Sequence, residues 1–368
     1  MGTGVLNYFL PVAGMSELIS LLRSDGYQSL ALVERDGAVL WSEITDAADL
    51  PSGKQELQQP GSYRLSDAKT GCFAINHGHQ SLKSLTFKAQ ELLVRFSKDA
   101  DGIHFEPSEP ATERVAVIGA RACDVAGLAM QQQVFESGEY VDVHFQQHRQ
   151  GLFIVVVNCI HAQETCFCAS MQTGPRVKDR FDLALTPVSD GFLLECGSAE
   201  GQGIIDRLQA VPAEHGHTQQ ADEAIAACAA SQTRSLPDTE SCQQLSLLQS
   251  HPHWQDVAER CLSCGNCTMV CPTCFCHTVE EVPDLSGQQS ERVRLWDSCF
   301  NPEHGYIHGK NMRPTTKERY RMWLTHKLGT WPQQFGVSGC VGCGRCITWC
   351  PVGIDLTAEA AAIVGTER

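Results

Sequence analysis

Two cysteine runs in the C-terminal third of the chain share one spacing. The first is Cys261-Leu-Ser-Cys264-Gly-Asn-Cys267-Thr-Met-Val-Cys271-Pro272. The second is Cys340-Val-Gly-Cys343-Gly-Arg-Cys346-Ile-Thr-Trp-Cys350-Pro351. Each run places three thiols on a tight loop and a fourth just before a proline. Three such thiolates can surround three corners of a cubic [4Fe–4S] cluster, and in two-cluster folds the fourth ligates the other cluster.

This crossed arrangement assigns the eight thiols to two clusters. The ligands of one would be Cys261, Cys264, Cys267 and Cys350, and those of the other would be Cys340, Cys343, Cys346 and Cys271. The glycines inside the runs suit loops whose backbone approaches inorganic sulfide and directs amides at it. Disulfides and zinc are the alternatives, but zinc uses paired C-x2-C motifs rather than a doubled run followed by proline. We therefore expect two [4Fe–4S] clusters.

The overall composition restricts the setting of the chain. A length of 368 residues allows two or three domains, and 19 cysteines without a signal peptide argue against a secreted disulfide scaffold. The apolar stretches are too short to span a bilayer. A net charge of -15 argues against a nucleic-acid partner, because phosphate binding needs a basic face. We expect a cytoplasmic protein in a reducing compartment.

The predicted fold class is α+β, with an N-terminal α/β domain followed by a helical, ferredoxin-like two-[4Fe–4S] domain with a long insert. The predicted boundaries are 1–220 for the first domain, 221–254 for a connector and 255–368 for the second domain, with the insert at 272–339. Hydrophobic patterns predict strands at 27–41 (with a turn at 35–37), 115–119 and 152–158, a hairpin at 181–195, and helices at 83–96, 124–135 and 316–327.

Basic residues concentrate in the insert of this acidic chain. They are Arg292, Arg294, Lys310, Arg313, Lys317, Arg319, Arg321 and Lys327. They fit a solvated helix, charge compensation of reduced clusters, or a docking surface for an acidic partner. Arg345 lies inside the second cysteine run, where we expect an exposed charge that raises the reduction potential of the neighbouring cluster.

Further cysteines suggest additional metal sites. Cys123, Cys159, Cys166 and Cys168 follow predicted strands whose ends converge in α/β sheets, which suggests a third iron–sulfur cluster. The alternative is that they are small buried apolar residues. Cys274, Cys276 and Cys299 form another set, which would complete a metal site with one outside ligand or modify the electrostatics of the neighbouring cluster. Cys228 has no partner pattern, and His304 and His326 are expected to be surface or core residues, with a histidine as an unusual cluster ligand as the alternative.

Several longer blocks resemble one family. They are Gly119-Ala-Arg-Ala-Cys123-Asp124, Cys166-Phe-Cys-Ala-Ser-Met-Gln-Thr-Gly-Pro175, Cys271-Pro-Thr-Cys-Phe-Cys276, Trp296-Asp-Ser-Cys299 and the second cysteine run. Together they are similar to the β subunit of cytoplasmic NAD(P)-linked nickel–iron hydrogenases (sulfhydrogenases), a family that includes the A subunit of anaerobic sulfite reductase. The resemblance extends from about residue 60 to 356.

The resemblance implies a redox subunit without catalytic residues of its own. Electrons would pass between a flavin subunit that reacts with NAD(P)H and the catalytic subunit of a hydrogenase. The alternative is the same role in a siroheme sulfite reductase, and a third reading is a self-sufficient iron–sulfur enzyme. The sequence itself shows no Gly-rich dinucleotide loop and no order of residues typical of a catalytic triad.

Overall fold

The computed structural model describes residues 7–365. The strands are β1 Tyr8–Pro11, β2 Gln28–Arg35, β3 Ala38–Glu43, β4 Lys54–Gln59, β5 Ser62–Asp67, β6 Gln90–Asp99, β7 Gly102–Pro107, β8 Val115–Ala120, β9 Leu152–Val157, β10 Leu183–Val188, β11 Gly191–Cys196, β12 Val211–Pro212, β13 His277–Pro283, β14 Gln289–Trp296, β15 Tyr306–Ile307 and β16 Lys310–Asn311.

The α-helices are α1 Gly14–Ser24, α2 Lys83–Thr86, α3 Ala122–Glu136, α4 Val143–Gln150, α5 Ala199–Ile205, α6 His215–Ala230, α7 Thr239–Gln243, α8 His253–Arg260, α9 Asn266–Met269, α10 Thr316–Leu324, α11 Trp331–Phe335, α12 Arg345–Thr348 and α13 Leu356–Val364. Short 3₁₀ turns lie at Ala47–Asp49, Gln244–Ser246 and Pro302–Gly305, and a π-helical segment occupies Thr325–Thr330. No helix within residues 7–365 is long and apolar enough to cross a membrane.

An eight-stranded sheet forms the N-terminal part, in the order β12-β1-β11-β10-β9-β8-β2-β3. The four central strands β10, β9, β8 and β2 run parallel to their neighbours in that set. Every residue of β8 and β9 is buried, because apolar clusters cover both faces of the sheet. The α/β prediction is confirmed here, as are the strands predicted at 27–41, 115–119 and 152–158, the hairpin at 181–195 and the helix at 124–135.

The helix predicted at 83–96 is wrong. Only Lys83–Thr86 is helical, and the chain then enters β6. Leu92, Val94 and Phe96 also have the two-residue period of a strand, and β6 pairs with both β14 and β7. Cross-strand pairing over this length outweighs a local helical pattern, since sheet partners far along the chain supply hydrogen bonds that a short window cannot reveal.

The insert contributes buried side chains as well as an exposed surface. Its strands β13 and β14 join β6 and β7 in one four-stranded sheet, which links the N-terminal part to the cysteine-rich part. Arg294 ion-pairs there with Glu91 and Asp142. Helix α10 begins at a capping box formed by Thr315 and Glu318. Because Arg294, Arg319 and Lys327 are buried, the insert is not simply a solvated basic face.

Candidate metal centres

Site A comprises the thiols of Cys261, Cys264, Cys267 and Cys350. The first three lie between the end of α8 and the first turn of α9, and Cys350 follows α12. All four line one cavity, whose remaining wall includes Phe300, Trp323, Ile354 and Leu356. Burial raises the pKa of Cys267 well above its usual value, and the adjacent thiols of Cys261, Cys350 and Cys264 raise it further.

Site B comprises the thiols of Cys340, Cys343, Cys346 and Cys271. Burial raises the pKa of Cys346 well above its usual value, and the thiols of Cys340, Cys343 and Cys271 add to the effect. The structure therefore brings together the two crossed sets expected from the sequence. Four buried thiols in contact are costly to ionise alone, and iron would compensate their charge.

Backbone amides point at the sulfurs of both sites. The N–H groups that donate to a cysteine Sγ are those of Ser263 to Cys261 at 3.4 Å, Ile354 to Cys350 at 3.3 Å, Gly342 to Cys340 at 3.4 Å and Thr273 to Cys271 at 3.5 Å. Such amides stabilise negative charge on thiolate sulfur. The donor set and its amides thus suit iron–sulfur clusters.

Glycine is required where the second cysteine loop meets the N-terminal part. Gly342 and Gly344 have φ values of +65° and +73°, in the left-handed region. A Cβ at Gly342 would lie 2.6 Å from the Phe167 carbonyl oxygen, and one at Gly344 would lie 2.3 Å from that of Thr165. The absence of side chains here lets the loop at 165–168 approach site B directly.

Two buried lysines lie beside the cysteine loops. Lys327 Nζ donates to Cys271 Sγ at 3.3 Å and to Thr273 Oγ1 at 2.9 Å. Although burial opposes its charge, the thiols of Cys271 and Cys274 hold the pKa of Lys327 well above its usual value. Lys83 Nζ donates to the carbonyl oxygens at the end of α9, including that of Met269 at 2.8 Å. Of the three interpretations of the basic insert, the position of Lys327 supports charge compensation of a reduced cluster.

Arg345 does not have the exposed position expected from the sequence. Its side chain is fully buried, and Nη2 donates to Asp124 Oδ1 at 2.8 Å. Its Nε also donates to the Gly78 carbonyl oxygen at 3.2 Å. The residue therefore fastens the second cysteine loop to the start of α3, and the ion pair neutralises its charge locally.

Site C comprises the thiols of Cys123, Cys159, Cys166 and Cys168. Burial raises the pKa of Cys166 well above its usual value, and Cys168 and Cys159 contribute as close neighbours. Cys123 lies beside Cys168 but also packs against Val341 and Cys343 of site B. Three of the four thiols are thus mutual neighbours, while Cys123 lies between sites B and C.

A fifth thiol, that of Cys228 on α6, lies beside site C. Burial raises its pKa to about 12, and the thiols of Cys159 and Cys168 are the next contributors. Sequence reasoning missed this residue because it lies far from the other cysteines along the chain. The sequence pattern that could have indicated its burial is the helical spacing of Ala221, Ile225 and Cys228, which are the buried residues of α6.

Site C is attached to site B through short contacts. The Phe167 N–H donates to the Gly342 carbonyl oxygen at 2.8 Å, and Thr173 Oγ1 donates to the Val341 carbonyl oxygen at 2.7 Å. On the other side, the Arg121 guanidinium lies 4.0 Å from Cys159 Sγ. Sites A and B are also adjacent, because Cys267 lies near both Cys271 and Cys346. The three sites therefore form a continuous series, in the order A, B, C.

Site D comprises the thiols of Cys274, Cys276 and Cys299, which line a cavity together with His304 and His326. A hydrogen bond from Cys299 lowers the pKa of Cys276 to about 4, and His304 acts in the same direction. Among residues 7–365, no three His, Cys, Asp or Glu side chains are arranged to hold a single metal ion.

Comparison with known proteins identifies a 4Fe–4S domain over the two cysteine runs. Residues 260–354 match the family model of a 4Fe–4S dicluster domain. Over 250 residues the chain is 33% identical to the β subunit of sulfhydrogenase 2 from Pyrococcus furiosus, a match that covers 66% of this chain and 72% of that protein. No solved structure matches the chain. The chain belongs to the family of sulfhydrogenase β subunits, which are iron–sulfur proteins with a role in electron transfer.

Proposed function

We propose that this chain relays electrons between a flavin subunit that reacts with NAD(P)H and the catalytic subunit of a cytoplasmic nickel–iron hydrogenase. The single observation that carries the proposal is the continuous series of sites A, B and C. Its relative is named as a subunit of a sulfhydrogenase, which supports the choice of catalytic partner.

The residues of sites A and B would each hold one [4Fe–4S] cluster. Such a cluster accepts and releases one electron at a time, which suits a flavin that can pass on two electrons singly. The apolar wall of site A, with Phe300 and Trp323, would keep water from the inner side of the cluster, while Cys264 lies on the exposed side. The amides that donate to Cys261 and Cys340, and the Lys327 ammonium at site B, would stabilise the more negative reduced state.

Site C would extend this series with a third cluster. Cys159, Cys166 and Cys168 are its central thiols, and either Cys123 or Cys228 would be the fourth ligand. Paired Cys123→Ser and Cys228→Ser variants distinguish the two. Loss of about four irons per chain is expected in one variant only. Unchanged iron in both variants and in Cys166→Ser would refute a cluster at site C.

The partner assignment is tested by anaerobic purification of this chain from its native cells, with mass-spectrometric identification of the bound polypeptides. A nickel-containing large subunit together with a flavoprotein is the expected result. Co-purification of a siroheme protein would instead assign the relay to sulfite reduction. If neither is found and the isolated chain reduces a substrate with an artificial donor, the relay role is wrong and the chain is a self-sufficient enzyme.

A further inference from the structure

The cavity at site D is assembled from three separate stretches of the chain. Cys274 and Cys276 follow the first cysteine run, Cys299 follows β14, and His304 lies in the 3₁₀ turn Pro302–Gly305. The opposite wall is the end of α10 and the π-helical segment that carries His326. Since π-helical turns occur frequently at functional sites, this wall gives the cavity a second distinguishing feature.

His304 is oriented as a metal ligand would be. Its Nδ1 lies 2.7 Å from Asp297 Oδ2, and its ring also forms a hydrogen bond with the Cys276 thiol. Asp297 is itself fixed, because Asn301 Nδ2 donates to its other oxygen at 3.0 Å. Metal-binding histidines commonly have one ring nitrogen on the metal and the other on a carboxylate. The sequence left His304 as one of several histidines that could be an unusual cluster ligand, and it becomes adjacent to the thiols only in the folded chain.

His326 has a different environment within the same cavity. Its ring packs against Trp331 at a centroid distance of 5.3 Å and against Phe275 at 6.5 Å. Burial lowers its pKa, and the neighbouring Lys327 acts in the same direction. Aromatic packing rather than a carboxylate orients this ring, so it serves as a wall of the cavity.

We propose that Cys274, Cys276, Cys299 and His304 hold a further iron–sulfur cluster with one histidine ligand. This inference rests on the proposed electron-relay function and adds a fourth position to it. A single zinc ion is the other occupant that three thiols and one imidazole can hold, and metal analysis distinguishes the two. Lys83 and Lys327 lie close to the same thiols and would offset their negative charge.

The position of site D gives such a cluster a role. The Cys274 thiol forms a hydrogen bond with Cys271, a residue of site B. The side chain of His304 is 23% exposed, so the cavity extends from site B toward the protein surface. Because replacement of thiolate by imidazole raises the reduction potential of a cluster, this site would act as an electron sink on a branch that leaves the relay at site B.

Metal analysis of the whole chain, purified anaerobically, tests the proposal. Iron, acid-labile sulfide and zinc would be measured for the wild type, Cys276→Ser/Cys299→Ser, His304→Cys and two controls outside the cavity, His104→Ala on the β6–β7 hairpin and Cys196→Ser at the end of β11. We expect the double variant to lose about four irons per chain and to retain the electron paramagnetic resonance signals of the other clusters. His304→Cys should keep its iron and show one cluster with a lower potential, while the two controls match the wild type.

Two outcomes would overturn the inference. One is zinc in the wild type that disappears in the double variant, which would identify a structural zinc site. The other is unchanged iron in the double variant together with an unchanged set of potentials in His304→Cys. Either outcome leaves sites A and B intact, whereas failure of the proposed relay function would appear as a wild-type chain without iron–sulfur signals.

Discussion

At the scale of single residues, buried charges beside the cysteine loops distinguish this chain from a small ferredoxin-like domain. Arg345 and Asp124 form an ion pair with almost no solvent exposure, between the second cysteine loop and α3. Removal of one partner from such a pair leaves an uncompensated charge in the interior. Substitution of either residue of the pair should therefore lower the stability of the folded chain.

Replacement of Arg345 by glutamine should destabilise the protein strongly. We expect a loss of about 3–5 kcal/mol in the free energy of unfolding, because Asp124 would stay buried without its partner. Arg95→Gln is the matched control, since its pair with Glu291 is exposed and should contribute about 0–1 kcal/mol. Anaerobic denaturant unfolding measures both variants, and equal midpoints would contradict the structural role of Arg345.

Replacement of Lys327 by methionine should lower the reduction potential of the cluster at site B. The ammonium group lies 3.3 Å from Cys271 Sγ and favours the more negative reduced state. The loss of one nearby charge should shift the potential by on the order of 50–150 mV. Potentiometric titration followed by paramagnetic resonance measures the shift. Lys310→Met, on exposed β16, is the control, and a similar potential in both variants would refute the electrostatic role.

At the scale of elements, close packing between loops decides whether the cysteine sites can form. The loop at 165–168 approaches the second cysteine loop so closely that only glycine fits at Gly342 and Gly344. The hairpin β4–β5 packs on the other side of that loop, where the Gly61 N–H donates to the Ile347 carbonyl oxygen at 3.1 Å. These elements come from the N-terminal part, so the conformation of the second cysteine loop depends on contacts with that part.

An alanine at Gly342 should reduce the iron content of the chain. Its Cβ would meet the Phe167 carbonyl oxygen at 2.6 Å, and the loop would have to move away from site C. Gly287→Ala controls for backbone strain, because Gly287 has a similar φ of +67° and no described atom within 4 Å of the added Cβ. Strain alone costs roughly 1–2 kcal/mol. Iron analysis should show a loss in Gly342→Ala alone, and full occupancy there would show that the close approach is unnecessary.

Contacts between elements also explain which strands and helices can be predicted from the sequence. The strands β8 and β9 are continuous apolar runs of six residues, and their burial on both faces follows directly from that pattern. The apolar residues of strand β6 also have helical spacing, but pairing with β14 and β7 determines its conformation. Local periodicity predicts a helix or strand well when burial of its own apolar residues determines the conformation. It predicts poorly when pairing with distant strands determines the conformation.

At the scale of the whole molecule, the two predicted domains share a sheet and a set of buried contacts. β14 and β6 pair across about 200 residues of sequence, as in the contact of Arg294 with Glu91, separated by 203 positions. Lys83 reaches the end of α9 across a similar separation. The cysteine-rich part therefore depends on the N-terminal part for one of its sheets and for several of its walls.

A fragment of residues 255–368 should bind its clusters poorly. It lacks β6, one of the two partner strands of β14, and also the Lys83 contacts and the loop at 165–168. After anaerobic reconstitution, we expect less iron and sulfide per chain than in the full protein. A second sample with residues 1–254 supplied as a separate chain should recover part of the loss. Full iron content in the fragment alone would mean that the cysteine-rich part is an independent domain.

The sequence by itself indicated the 4Fe–4S type of cluster, which the family model supports, and predicted the crossed assignment of thiols to sites A and B. Ligand spacing is local, so a short stretch contains all the information needed to surround one cubane. It also predicted the central strands, since their apolar runs require burial on both faces. Only the tertiary structure placed Cys228 beside site C, His304 beside site D, and Arg345 in the interior. Each of these positions depends on contacts between distant segments, and no local pattern specifies which distant side chain will fill a cavity.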